Sequence, residues 1–203
     1  MKQIMAVADT EPHILYLHGF LSSPQSTKAQ QTVAYCKQRG MADAITVPLM
    51  LDGPAATIEQ LESIIADLPI ESLGLMGSSL GGYYSTYLAE KYDLPAVLIN
   101  PAVQPFELWE EHLGEHKNYY VDHVHLVTRE HVDELRALYC DKLNHAENFM
   151  VMLQTADEVL DYRLAEAKFA NSRLEIQQGG DHSFQNFEAE LPGIFDFLLS
   201  RID

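Results

Sequence analysis

The stretch LGLMGSSLGGYYSTYL, residues 73–88, sets two adjacent serines inside a cage of glycines, behind an apolar run and ahead of a helical pattern. A serine on a sharp turn from strand into helix has a strained backbone and a raised hydroxyl. The residues two before and two after it crowd that backbone and must be very small. Ser79 has Gly77 and Gly81 at those places, whereas Ser78 has Met76 and Leu80, which would clash. The pattern Gly-x-Ser-x-Gly therefore selects Ser79. The other common use of a glycine-rich turn, phosphate binding, requires GxxxxGK[ST] or GxGxxG, and neither occurs.

Working outward, the chain repeats one theme: a short apolar run, a polar or glycine-rich turn, then a helical pattern. The runs cover 13–20, 44–50, 72–78, 95–101, 149–155 and 173–180. Most are continuously hydrophobic, as strands are when helices cover both faces of a parallel sheet. Helical segments fill the gaps. Ser23 and Pro24 open one that runs to Arg39 and stops at Gly40, and others cover 57–67, 80–92, 161–170 and 187–200. The fold class is α/β, a compact, mostly parallel six-stranded sheet with helices on both faces. One gap, 102–148, is too long for a simple crossover and carries helical patterns around 107–113 and 130–143, which predicts a helical lid insertion over the sheet's edge. No linker, repeat or low-complexity segment divides the chain, so residues 1–203 are expected to form a single domain.

Acidic residues outnumber basic ones 30 to 13, for a formal net charge of −17. Such a surface repels phosphate backbones and anionic lipid headgroups, so nucleic acid and membrane are excluded as expected partners. The two cysteines, Cys36 and Cys140, lie far apart and outside any CxxC spacing, which suits a reducing compartment. The apolar stretch 4–8 near the N-terminus is too short for a signal peptide, and no run approaches a membrane span. The expected location is cytoplasmic.

A serine hydroxyl is a weak nucleophile until a base removes its proton, and the base needs an orienting carboxylate. On a sheet of this kind the chain order is serine, acid, histidine. His182, in QQGGDHSF after the last strand, sits on a loop softened by Gly179 and Gly180 that can carry an imidazole back over Ser79. For the acid, Asp157 follows the fifth strand at its rim, with Asp161 in reserve; Asp161 is better placed to begin the next helix. The end of the fourth strand, the other slot for an acid, holds Asn100 and Pro101. Developing negative charge on oxygen would be held by the backbone N–H groups of Phe20, at the end of the first strand, and Leu80. His18 precedes the serine and is read as a ring that pins its own loop.

Two further patterns occur in the sequence. His112, Glu115 and His116 have the order of an inverted zinc-protease motif, but Gly114 weakens the helix that would present both rings and no clear third ligand follows. His123, His125 and His131 lie nearby, yet the expectation is that no metal and no cofactor is required. Tyr83, Tyr84 and Tyr87 have helical spacing and read as packing residues. Phe106, Trp109, Tyr119 and Tyr120 either line an acyl pocket or hold the insertion's own core.

The segments LYLHGFLSSPQSTKA, GSSLGGYYSTYLAEKY, INPAVQPFELW, LQTADEVLDYR and GGDHSFQNFE occur in this order. They resemble the YqiA/YcfP-like family of bacterial α/β-hydrolase-fold esterases over nearly the whole chain from Ile14. The resemblance implies Ser79 as nucleophile, Asp157 as acid and His182 as base. It also implies a compact sheet lacking the first strands of larger relatives, and hydrolysis of carboxylic esters or acyl thioesters. The expectation from the residues is a serine esterase that works through an acyl-enzyme with no cofactor. The alternatives are an acyl-CoA thioesterase or a non-catalytic acyl-ligand-binding protein on the same fold.

Overall fold

A computed structural model describes residues 11–202. Six strands, β1 (His13–Leu17), β2 (Ile45–Thr46), β3 (Leu73–Ser78), β4 (Ala96–Ile99), β7 (Phe149–Gln154) and β8 (Arg173–Gln177), form one sheet in the order β2-β1-β3-β4-β7-β8. Every pairing is parallel. Alternate residues of each strand feed opposite cores, as the period of two requires. Leu15, Leu17, Leu75, Leu98 and Val151 pack on one face, and Ile14, Tyr16, Met76, Val97 and Met150 on the other.

Helices α1 (Thr27–Gln38) and α7 (Phe187–Leu199) cover the second face. The first face is covered by α2 (Pro54–Ala66), α3 (Leu80–Tyr92), α6 (Tyr162–Lys168) and the segment between β4 and β7. The central strand β3 is buried along its whole length. Strand β2 is shorter than its apolar run because Pro48 lacks an N–H for the ladder and stops the pairing. Among the described residues no helix is long and apolar enough to cross a membrane.

Two helix starts move from their expected positions. The Ser23 hydroxyl accepts from the Gln25 N–H at 3.0 Å and so closes a turn ahead of α1, whose N-cap is Ser26. Helix α2 begins earlier than expected, at Pro54, where a proline at the first helical position costs no hydrogen bond.

Segment 102–148 departs from the all-helical expectation. It holds two helices, α4 (Pro105–Glu110) and α5 (Arg129–Ala137), but between them the chain forms an antiparallel hairpin, β5 (Gly114–Lys117) with β6 (Val124–Val127). Gly114, at φ +119°, turns the chain out of α4 into the hairpin. Phe106 and Trp109 are buried in the main core, whereas Tyr119 is 78% exposed and lines a cleft with Tyr120. Tyr83 ties α3 to α5 by donating its hydroxyl to the Leu135 carbonyl at 2.7 Å.

Candidate active site

Strand β3 delivers Ser79 to the carboxyl edge of the sheet, where its φ of 56° and ψ of −119° turn the chain into α3. The Ser79 N–H donates to Ile99 O at 3.0 Å, and its carbonyl accepts from Gly82, Tyr83 and Ala102, so hydrogen bonds fix the strained turn from both sides. A methyl group on Gly81 would overlap the Leu17 carbonyl of β1, and one on Gly77 would overlap the Gly81 carbonyl. The glycines let α3 leave the sheet against two strands at once.

Strands β7 and β8 bring the other two groups over that turn. His182 Nε2 lies 3.1 Å from Ser79 Oγ, and His182 Nδ1 lies 2.8 Å from Asp157 Oδ2. The Asp157 carboxylate is 2% exposed and also accepts from the N–H groups of Val159 and Leu160, at 2.9 and 2.8 Å. Burial pushes its pKa up, but the hydrogen bonds from His182, Leu160 and Val159 together outweigh that and hold it below the ordinary aspartate value. An ionised Asp157 fixes the proton on Nδ1 and leaves Nε2 to accept from the serine hydroxyl. Asp161, the reserve candidate, stands apart. It caps α6 by accepting from Arg163 N–H at 3.1 Å and pairs with the Arg163 guanidinium at 2.7 Å.

The histidine loop is held by residues that sequence reasoning did not assign. Asn100, in the slot considered for an acid, donates its Nδ2 to the carbonyls of Asp181 and His182 at 3.0 and 3.3 Å. Gln154 is buried at the end of β7; its Oε1 accepts from Asp181 and Gln185 N–H, and its Nε2 donates to the Gln185 carbonyl. Glu158 accepts from the His182 N–H at 3.0 Å. The one available signal was a glutamine and an asparagine ending otherwise apolar strands.

On the opposite side, among the described residues, neither the Phe20 nor the Leu80 N–H is used in a hydrogen bond. His18 pins this loop as expected, its Nδ1 donating to Gly19 O at 3.0 Å while Nε2 accepts from Met50 N–H at 3.4 Å. The hairpin grips the same loop: Asn118 Nδ2 donates to Ser22 O at 2.9 Å, and Tyr119 N–H donates to Leu21 O at 3.0 Å. The Phe20 ring packs 4.7 Å from Trp109. A cleft of about 800 Å³ opens beside Ser79 and His182, lined on its far wall by the start of α1.

The His112, Glu115, His116 pattern does not share a helix: α4 has ended at Glu110, and Glu115 and His116 lie on β5. A different set converges, with Asp52, His123 and His125 offering ligand atoms within 4.8 Å of one another. Their hydrogen bonds define the donor set. Asn118 Oδ1 accepts from Tyr120 and Val121 N–H, which turns its Nδ2 toward His125 Nε2 at 3.1 Å. His125 Nε2 must accept, so its Nδ1 carries the proton and faces Asp52 Oδ1 at 2.7 Å. A metal would need that same Nδ1 lone pair, so the set fits a proton network rather than an ion.

Comparison with known proteins places this geometry in context. Residues 13–199 match the model of an uncharacterised protein family, UPF0227, and the chain belongs to that family. Among solved structures, mouse alpha/beta hydrolase domain-containing protein 10 superposes with a TM-score of 0.71 at 17% identity, covering 95% of this chain and 91% of that one. Est1E from Butyrivibrio proteoclasticus, with ferulic acid bound, gives 0.69 at 12% identity, covering 95% and 90%. A structure described with the metagenome-derived lipolytic enzymes LipS and LipT gives 0.69 at 14% identity, covering 94% of each chain. At these identities the likeness is one of fold: the chain has the α/β-hydrolase fold, with a six-stranded parallel sheet and flanking helices.

Proposed function

We propose that this member of the UPF0227 family is a serine hydrolase that cleaves small-molecule carboxylic esters through an acyl-enzyme, with Ser79 as nucleophile, His182 as base and Asp157 as its orienting acid. The observation that carries the reading is the unbroken hydrogen-bonded line from the buried Asp157 carboxylate through the His182 ring to the Ser79 hydroxyl, at 2.8 and 3.1 Å. The fold it shares with esterases, one of them holding ferulic acid, agrees with an ester substrate.

In the proposed reaction His182 Nε2 takes the Ser79 proton as Oγ attacks the ester carbonyl. The carbonyl oxygen becomes negative and rests on the N–H groups of Phe20 and Leu80. The ionised Asp157 stabilises the imidazolium, which then gives its proton to the departing alcohol. Water, deprotonated by the same ring, releases the acyl group and restores the serine. Segment 102–148 acts as a lid whose hairpin fixes the Phe20 loop. The unpaired cysteines, Cys36 and Cys140, accord with a cytoplasmic setting.

A fluorophosphonate probe, which labels only an activated serine, tests the assignment. Wild type is expected to take up label and Ser79→Ala none, with turnover of 4-nitrophenyl esters falling by about four to six orders of magnitude. Equal labelling of the two proteins would overturn it.

A further inference from the structure

Lys28 stands out within the cleft. It is the second residue of α1 and, among the described residues, the one lysine or arginine lining the cavity that holds Ser79 and His182. Its ammonium donates to the Ser183 carbonyl at 2.8 Å, one residue beyond His182. Among the described residues no carboxylate lies within ion-pair distance of it. In a chain with 30 acidic and 13 basic residues, a cation with no described carboxylate in contact reflects its position rather than a shortage of acids. An ammonium has three donors, and the Ser183 carbonyl takes one of them. Burial pushes the Lys28 pKa down by more than Asp181 and Asp157 pull it back up, because the ammonium is partly stripped of water. A half-buried charge of this kind is costly unless an anion meets it.

We propose that Lys28 receives a carboxylate carried by the ester substrate, so that the preferred substrate is a half-ester or another ester with one free acid group. The proposal rests on the reading of Ser79 as nucleophile. The rest of the cleft supports one unit of negative charge and no more. Ser22, Ser26 and Gln31 add neutral polar groups, and among the described residues the other formally charged side chain of the wall, Glu188, is exposed and negative. A phosphate, with nearly two charges, would leave an excess that a chain of net charge −17 does not welcome. A structural role for Lys28, as a strut of the His182 loop through Ser183, makes a different prediction, because a strut serves every substrate alike.

Two matched pairs of esters separate these cases. One pair is 4-nitrophenyl hexanoate and the 4-nitrophenyl half-ester of adipic acid, with the charge on the acyl side. The other is the butyryl ester of lactic acid and its methyl ester, with the charge on the leaving side. Wild type is expected to prefer the charged member of one pair in kcat/KM by about tenfold or more, the usual worth of a charge-assisted hydrogen bond. The preferred pair identifies the side that meets Lys28. Lys28→Met is expected to bring the charged-to-neutral ratio close to one, and Lys28→Arg to restore the preference. A wild-type enzyme with no preference in either pair overturns the proposal, as does a ratio that Lys28→Met leaves unchanged; both leave the Ser79 chemistry standing. If Ser79→Ala hydrolyses all four esters as fast as wild type, the underlying reading fails instead and takes the proposal with it.

Discussion

At the residue scale, the Ser79 turn is a steric problem solved by its neighbours. The left-handed backbone of Ser79 is tolerated because Gly77 and Gly81 leave room for β3, α3 and the Leu17 carbonyl to meet. Gly81→Ala pushes a methyl group into backbone that cannot yield, so it is expected to destabilise the protein by about 3 kcal/mol or more. Urea unfolding followed by circular dichroism measures this, and an unchanged midpoint would contradict the steric account. The same sterics made Ser79 legible in sequence, since the clash of Met76 and Leu80 around Ser78 is local. The triad candidates were legible by chain order and by their place at strand ends. Asn100 and Gln154 were not, because a polar strand end has no meaning until its partners, Asp181 and the His182 loop, arrive from 81 and 27 positions away.

At the scale of elements, the hairpin is the part that sequence reading lost. Strand β5 reads Gly-Glu-His-Lys, with no apolar alternation, and β6 alternates over only four residues. Histidines at helical spacing made the stretch look like a broken helix. Yet this hairpin is what holds the loop bearing the Phe20 N–H, chiefly through Asn118, which bonds to Ser22, Tyr120, Val121 and His125 together. In the proposed reaction that N–H acts on the transition state more than on the bound ester. Asn118→Ala is therefore expected to lower kcat by about tenfold to a hundredfold while KM changes little. Steady-state kinetics on a neutral 4-nitrophenyl ester checks this, and a change confined to KM would count against the hairpin as a positioning element. The parallel sheet itself was legible because burial on both faces leaves an unmistakable apolar run, with β2 shortened where Pro48 intervenes.

Across the whole molecule, three histidines are held neutral by burial: His13, His18 and His125 all have pKa values below the ordinary 6.5. The unfolded chain takes up protons at these rings before the folded protein does. Their contribution to stability is complete above pH 6.5 and is lost as acidification proceeds through the lowered values. The melting temperature is expected to hold steady from pH 8 to 7 and to fall between pH 6.5 and 5; a rise over that interval would refute the assignment. Asp157, whose pKa is also lowered, adds its own loss only at far more acid pH. The order of the sheet carries one last implication. Ser79 rides on β3, in the middle of the sheet, whereas His182 follows β8, the outermost strand, which pairs with β7 alone. Margins of a sheet open more readily than its centre. A brief peeling of that border would separate imidazole from hydroxyl while the interior stayed intact, so loss of the proposed activity and collapse of the architecture would be distinct events.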